Sequence, residues 1–124
     1  MHAIKEKMDW RIEFYKTESG KIPVKEFVDS LPEPAQAKFI FILDLLEKYG
    51  IEVREPYVKT LKGYTKLKEI RIKAIGNIYR VFYFPAKEKT FVLLHGFTKK
   101  GDKTPKNEIE TAEKRLKDYI ARYS

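Results

Sequence analysis

Residues 67–73 read Leu-Lys-Glu-Ile-Arg-Ile-Lys, and residues 78–84, after a Gly76-Asn77 turn, read Ile-Tyr-Arg-Val-Phe-Tyr-Phe. A third run over residues 90–98 reads Thr-Phe-Val-Leu-Leu-His-Gly-Phe-Thr. Short apolar runs that are rich in aromatic and β-branched residues and joined by turns are typical of antiparallel strands. The third run is almost wholly apolar, which indicates a central strand covered on both sides. Together the three runs predict an antiparallel meander.

One more strand and three helices are predicted around the meander. Apolar and polar residues alternate from Trp10 onward, which is the period of a half-buried strand. A short helix begins at Pro23, and apolar residues then recur at helical spacing over residues 35–49, before Gly50. The same spacing over residues 109–123 predicts a C-terminal helix. The predicted order is β-α-α-β-β-β-α, an α+β fold in which an antiparallel sheet packs with helices.

Length and composition narrow the class of protein. The chain of 124 residues is predicted to form one domain over residues 9–124, after a flexible tail over residues 1–8. Residues 51–65 lack clear periodicity and are predicted to form a loop with at most a short extended piece. The chain has no cysteine, no apolar run near the roughly 20 residues of a membrane span, and no apolar signal-peptide core. We therefore expect a cytoplasmic protein without a membrane partner.

The net charge of +8 is concentrated in one part of the chain. Residues 66–106 contain eleven Lys and Arg against three acidic residues, so this segment carries the whole excess and the remainder is neutral. A basic excess that is confined to one contiguous segment favours a binding surface for a polyanion. Because no basic amphipathic helix stands out, nucleic acid is preferred over an anionic membrane.

The sequence has no recognisable metal or cofactor motif. It contains neither a phosphate-binding glycine loop, nor a nucleophile elbow, nor a set of ligands at metal-binding spacing. A metallonuclease needs several carboxylates on one cation, whereas the meander offers only Glu69 and Asp102. A mechanism with neither metal nor cofactor is therefore predicted. RNA permits one, because its ribose 2′-hydroxyl is an internal nucleophile beside the scissile phosphate.

Such a mechanism needs groups that neutralise the charge that grows on phosphorus. Arg71 and Arg80 lie on adjacent predicted strands and are the candidate charge stabilisers, because a planar guanidinium can hold two phosphate oxygens. Lys99, Lys100 and Lys103 follow the third strand and can complete a phosphate cradle. The alternative for either arginine is a structural salt bridge with Glu69.

The mechanism also needs a group that transfers protons. Glu69, His95, a lysine or a tyrosine can take this role, and the residues alone do not decide among them. His95 lies in an apolar run, so a hydrogen-bonded core histidine is an equally good interpretation. Most surface lysines are solvated charges rather than catalytic groups. The remaining candidates for RNA binding are Lys66, Lys68, Lys73 and Lys103.

Four short blocks follow one another along the second half of the chain: Leu67-Lys-Glu69-Ile-Arg71, Tyr79-Arg80-Val-Phe-Tyr83, Leu93-Leu-His-Gly-Phe97-Thr-Lys99-Lys100 and Thr104-Pro105-Lys-Asn-Glu108-Ile109-Glu-Thr-Ala112. In order and spacing they resemble the RelE/HigB toxin superfamily, and most closely its phage-derived HigB-like branch. The resemblance covers the chain from Trp10 to its C-terminus. Each block is weak alone, whereas four in sequence are specific.

The resemblance implies a compact RelE-like fold of the microbial RNase type and the toxin of a type II toxin–antitoxin pair. Such toxins enter the ribosomal A site and cut mRNA without a metal, leaving a cyclic phosphate, and a helix-turn-helix antitoxin neutralises them. Arg80 matches the family's central basic residue, Arg71 a basic position one strand earlier, and Lys99 and Lys100 the basic end of the last strand. The sequence departs from the best-known members at Glu69, where they carry a second lysine, and in lacking an obvious C-terminal catalytic tyrosine.

Two other functions remain open from the sequence. The same scaffold can hold RNA, the ribosome or an antitoxin without cutting, and one branch of the superfamily poisons gyrase. The basic set of Arg71, Arg80, Lys99 and Lys100 argues against the gyrase alternative. The favoured prediction is a ribosome-dependent mRNA endoribonuclease.

Overall fold

The computed structural model describes residues 9–64, 66–99, 101 and 103–123. In these residues five strands and three α-helices follow one another, with a short 3₁₀ helix over Gly50–Glu52 after the second helix. Compared with the predicted order, one short strand is added between the second helix and the meander. The elements are β1 (Arg11–Phe14), α1 (Pro23–Asp29), α2 (Glu33–Tyr49), β2 (Val58–Thr60), β3 (Lys68–Ala74), β4 (Asn77–Ala86), β5 (Thr90–Lys99) and α3 (Lys106–Tyr123).

The strands form one sheet in the order β1-β5-β4-β3-β2. The predicted meander is confirmed, because β3, β4 and β5 pair in sequence and antiparallel. The sheet as a whole is mixed rather than antiparallel, since β1 pairs with β5 in the parallel direction. The chain crosses from β1 through α1 and α2 to the far edge at β2 and then returns strand by strand, so β5 arrives beside β1 and runs the same way. The α+β fold class is confirmed.

The sheet is covered on both faces, and each face has its own apolar core. On one face, α1 and α2 cover side chains that include Ile70, Val81 and Leu93. On the other face, called here the α3 face, Phe82 and Phe97 belong to a second core with α3. The predicted central position of β5 is confirmed, because α1 and α3 both contact it.

The hairpin between β3 and β4 turns one residue earlier than predicted. Ala74 pairs with Asn77, so the two loop residues are Ile75 and Gly76, both with positive φ (50° and 72°). Two such residues are characteristic of a type I′ turn, although a β-branched residue is unusual at its first position. The position of this turn sets the register of the site, because it places Arg71 opposite Arg80. A loop at Gly76-Asn77 would have placed Lys73 opposite Arg80 instead.

Two expectations concern the ends and surroundings of the chain. The tail expected over residues 1–8 lies outside the described residues, and the single domain over residues 9–124 stays a prediction. In the part of the chain that the structure describes, no helix has the length and apolar character needed to cross a membrane.

Candidate active site

The two arginines singled out from the sequence lie side by side on the α3 face of the sheet. Arg71 of β3 is directly opposite Arg80 of β4, and Arg80 is in turn opposite Phe97 of β5. Directly opposite residues have side chains on the same face of a sheet. Because Phe97 belongs to the core under α3, both arginines also point to that face. Two cations are thus held in adjacent strands at the centre of the sheet.

Glu69 supplies the negative charge beside them. Its carboxylate oxygen Oε1 accepts a hydrogen bond from Arg80 Nη1 at 2.5 Å, and the two side chains are only 2% and 3% exposed. Burial lowers the pKa of the Arg80 guanidinium, the carboxylate of Glu69 opposes that shift, and the charge of Arg71 adds to it. Arg80 is therefore paired with one opposite charge and remains beside one like charge.

Three buried polar atoms in this group lack a hydrogen-bond partner among the described residues. They are Oε2 of Glu69, Nε of Arg71 and Nε of Arg80. Buried polar atoms are nearly always paired in folded proteins, so unpaired ones require an explanation such as a bound water or ligand. Among the described residues Arg71 also forms no ion pair with a carboxylate. The group thus contains buried polar atoms that its own side chains leave unpaired.

Lys99 completes the group from the end of β5. Its backbone is opposite Ile78, two residues before Arg80 on the same strand. Burial and then the charge of Arg80 lower the pKa of the Lys99 ammonium, Arg71 and Lys59 add to the effect, and Glu69 opposes it. We call Glu69, Arg71, Arg80 and Lys99 the arginine cluster.

Lys59 is a neighbour that sequence reasoning did not include among the site residues. It lies on β2, directly opposite Glu69, and therefore on the α3 face at the edge of the sheet. Its side chain is exposed, and its charge helps to lower the pKa of Lys99. The only signal in the sequence was its basic character in a segment predicted to be a loop, because the three-residue strand β2 is too short to show a period.

His95 lies on β5 in a separate hydrogen-bonded group with two residues of α3. Arg115 Nη1 approaches His95 Nδ1 at 3.1 Å, and His95 Nε2 lies 2.5 Å from Glu108 Oε1. Because a guanidinium can only donate, Nδ1 accepts and Nε2 carries the proton that is donated to Glu108. Arg115 also donates to the carbonyl of Leu94 at 3.0 Å. We call His95, Glu108 and Arg115 the histidine network.

The histidine network holds its imidazole neutral. Burial lowers the pKa of His95, and the charge of Arg115 adds to the shift, while the hydrogen bond to Glu108 opposes it. Both ring nitrogens are already engaged within the protein. The arrangement joins β5 to α3, which agrees with the structural interpretation that the sequence left open.

The other predicted residues lie at different places. Lys73 is exposed on the α3 face, two residue pairs from Arg71 and Arg80 along the ladder. Lys68 is opposite Tyr83, whose side chain belongs to the core under α1 and α2, so it lies on the other face. Lys66 is exposed and lines a cleft of about 630 Å³ with Phe84 and residues of α3.

Two predicted lysines follow β5. Lys103 is exposed, and Lys100 lies outside the described residues. In the parts of the chain that are described, no group of three or more His, Asp and Glu residues could hold a metal ion. The prediction that the site uses no metal or cofactor stays a prediction.

Comparison with known proteins places these residues in a family. The family described as "Phage derived protein Gp49-like (DUF891)" matches residues 26–117. The chain belongs to this Gp49-like family. Two curated relatives, each called "Probable endoribonuclease HigB1", come from the CDC 1551 / Oshkosh and H37Rv strains of Mycobacterium tuberculosis. Each is 31% identical over 109 residues, which cover 87% of this chain and 82% of the relative.

The matches confirm the resemblance to the phage-derived HigB-like branch of toxins. The Gp49-like region includes the arginine cluster, the histidine network, all of α2 and the second half of α1. It leaves out β1, which pairs at the edge of the sheet. In this Gp49-like protein the arginine cluster and the histidine network therefore lie within the part of the chain that the family shares.

Proposed function

We propose that this Gp49-like protein is the toxin of a type II toxin–antitoxin pair and an endoribonuclease that cuts mRNA on the ribosome. The membership of a HigB-like family and the name of the mycobacterial relatives support an RNase. The arginine cluster supports the chemistry. Its three cations exceed its one carboxylate, and two of them, Arg71 and Lys99, are only half-buried and can be reached from the surface.

The proposed reaction is an internal displacement on the phosphate. The 2′-oxygen attacks phosphorus, the bond from phosphorus to the 5′-oxygen breaks, and the products are a 2′,3′-cyclic phosphate and a 5′-hydroxyl. Charge grows on the phosphoryl oxygens in the transition state, and preorganised cations in a dry site stabilise it strongly. Arg71 and Lys99 are more exposed than Arg80 and would contact the phosphate. The buried Arg80 would add its positive charge without contacting the phosphate.

Two protons move in this reaction, one from the 2′-hydroxyl and one to the 5′-oxygen. Among the groups considered from the sequence, Lys99 fits this role best, because its pKa is lowered by burial and by Arg80. Glu69 is engaged with Arg80, and both ring nitrogens of His95 are engaged with α3. We therefore assign proton transfer to Lys99, and charge stabilisation to Arg71 and Arg80.

The remaining basic residues are proposed to bind the RNA backbone. Lys73 and Lys59 flank the arginine cluster on the same face, which supports their inclusion. Lys66, Lys68, Lys100 and Lys103 remain predicted RNA contacts. A helix-turn-helix antitoxin encoded with the toxin is the proposed protein partner, and the cytoplasm the proposed compartment.

The experiment is to map the 5′ ends of transcripts after brief induction of the protein in cells. New ends in register with codons, which disappear when translation is blocked, are expected. Intact messages together with retained ribosome binding would instead support a non-catalytic module. A change in DNA supercoiling with intact messages would support gyrase as the target.

A further inference from the structure

We propose that Glu69 is a positioning residue, which fixes the Arg80 guanidinium beneath the phosphate-binding Arg71 and Lys99 and takes no part in proton transfer. The inference rests on the proposed RNase function and deepens it, because a carboxylate beside a reacting ribose is the obvious candidate for a general base. The burial, the pairing and the strand register of Glu69 argue against that role.

The first argument is access to the carboxylate. Glu69 is 2% exposed, its Oε1 is engaged by Arg80, and its Oε2 has no accessible surface. A general base must come within hydrogen-bond distance of the hydroxyl from which it takes a proton. A ribose could approach Glu69 only by opening the buried pair. Arg71 and Lys99, by contrast, are half-buried and reach the surface of the same face.

The second argument is the cost of proton uptake. If Glu69 accepted a proton, it would lose its charge and leave Arg80 buried beside Arg71 without a counter-ion. Removing one partner of a buried ion pair is strongly unfavourable, because the other charge stays in a poorly solvated place. Each catalytic cycle would then include this unfavourable loss of the counter-ion. An ion pair that stays intact throughout the reaction does not include that step.

The third argument is geometry. Glu69 and Arg80 are held on adjacent paired strands, where Glu69 is opposite Phe82 and Arg80 is opposite Arg71. The carboxylate therefore reaches Arg80 diagonally across the ladder and fixes Nη1. A long Arg side chain has many rotamers, and anchoring one nitrogen removes most of that freedom before the phosphate arrives. Positioning of this kind needs a hydrogen-bond acceptor on residue 69 and no proton transfer.

The experiment compares Glu69→Gln with Glu69→Met on purified translating ribosomes, over a range of pH. Gln keeps an oxygen that can accept the Arg80 bond, whereas Met has a similar length and no acceptor. If Glu69 is a positioning residue, the cleavage rate of Glu69→Gln should stay within about 10-fold of the unmodified rate, with an unchanged pH profile. The cleavage rate of Glu69→Met should fall by at least about 100-fold. Glu26→Gln, on the exposed surface of α1, is the matched control and should cut normally.

Two results would overturn the proposal. If folded Glu69→Gln is as inactive as Glu69→Met and loses the acidic limb of the pH profile, Glu69 is the general base. If Glu69→Met cuts at the rate of the unmodified protein, the hydrogen bond from Arg80 to Glu69 is not needed to position Arg80. Rates are divided by the folded fraction from circular dichroism, so that a folding defect is not counted as lost catalysis.

A failure of the RNase function itself has a different signature. In that case the unmodified protein leaves the message intact, and the affinity for inorganic phosphate replaces the cleavage rate as the measurement. Retained affinity in Glu69→Gln and weakened affinity in Glu69→Met would still support positioning of Arg80. Equal affinity in both variants would overturn it.

Discussion

The arginine cluster and the histidine network lie on the same face of the sheet, yet they differ in how fully their polar atoms are paired. In the network, both ring nitrogens of His95 have partners, and Arg115 bonds to the ring and to a backbone carbonyl. In the cluster, three buried polar atoms lack partners among the described residues, and positive charge exceeds negative charge. Buried polar groups that satisfy one another stabilise a fold, whereas unpaired ones are costly and call for a further partner such as a water or a ligand.

The largest effect is expected when the buried ion pair of the arginine cluster is removed as a whole, so that neither charge is left without its partner. The double variant Glu69→Met/Arg80→Met replaces the ion pair with apolar side chains of similar length, which is often neutral or stabilising in buried pairs. Cleavage should fall by about 1,000-fold or more, with a midpoint of urea unfolding close to that of the unmodified protein. Arg80→Met alone should instead lower the unfolding free energy by about 3–5 kcal/mol, because Glu69 is left unpaired. A double variant that still cuts at the normal rate would contradict the account.

A smaller effect, and one on stability, is expected in the histidine network. Arg115→Met removes the donor to His95 Nδ1 and to the carbonyl of Leu94, and should lower the unfolding free energy by about 1–3 kcal/mol. The measurement is urea unfolding followed by circular dichroism. Lys114→Met, on the exposed side of the same helix, is the control and should change stability by less than about 0.5 kcal/mol. Unchanged stability in Arg115→Met would mean that the network does not hold α3.

The smallest effect is expected from pH. Burial lowers the folded-state pKa of His95 below its ordinary value of 6.5, so the unfolded chain takes up a proton where the folded protein does not. The contribution of His95 to stability is then complete above pH 6.5 and is lost as the pH falls toward the folded-state pKa. As the pH falls from about 7.5 to 5.5, the unmodified protein should lose more unfolding free energy than His95→Gln does, measured by urea unfolding at each pH. An equal loss in both proteins would show that another group titrates.

The pattern of apolar residues predicted much of the fold. The alternation in β3 and the apolar run of β5 identified the meander, and the helical spacing identified α2 and α3. The helical spacing over residues 35–49 and 109–123 does not mark buried residues at its C-terminal ends, because Tyr49 and Tyr123 are 55% and 60% exposed. Both lie in the last turn of their helix. Spacing identifies the face of a helix, but it does not show where that helix extends beyond the sheet.

The site was predictable in part. Arg71 and Arg80 were identified from residue type and adjacent strands, but their pairing depended on a turn at Ile75-Gly76 that local preferences disfavour. The engagement of His95 was not predictable, since its partners Glu108 and Arg115 lie 13 and 20 residues away on another element. Contacts of that separation depend on how α3 packs on the sheet, which no local pattern specifies.

Gly96 shows a further limit of sequence reasoning. Its place in the His-Gly-Phe block gives no hint of its role, and its φ is not in the left-handed region. In the structure, a Cβ at this position would collide with the ring of Phe27, so α1 can approach β5 only because residue 96 has no side chain. Gly96 is therefore required for the close packing of α1 on the face of the sheet that lies opposite the site.

The most direct test of the account compares Arg71→Met with Arg115→Met, the same substitution in two half-buried arginines, one on the α3 face of the sheet and one on α3 itself. The measurement is the rate of mRNA cleavage by each variant in a translating extract, divided by its folded fraction. We expect Arg71→Met to lose about 100-fold or more, with unchanged or raised stability, because Arg71 has no ion pair among the described residues and lies beside Arg80. We expect Arg115→Met to cut within about 3-fold of the unmodified rate despite its lower stability. Full activity in Arg71→Met, or an equal loss in both variants, would contradict the assignment of the arginine cluster as the active site.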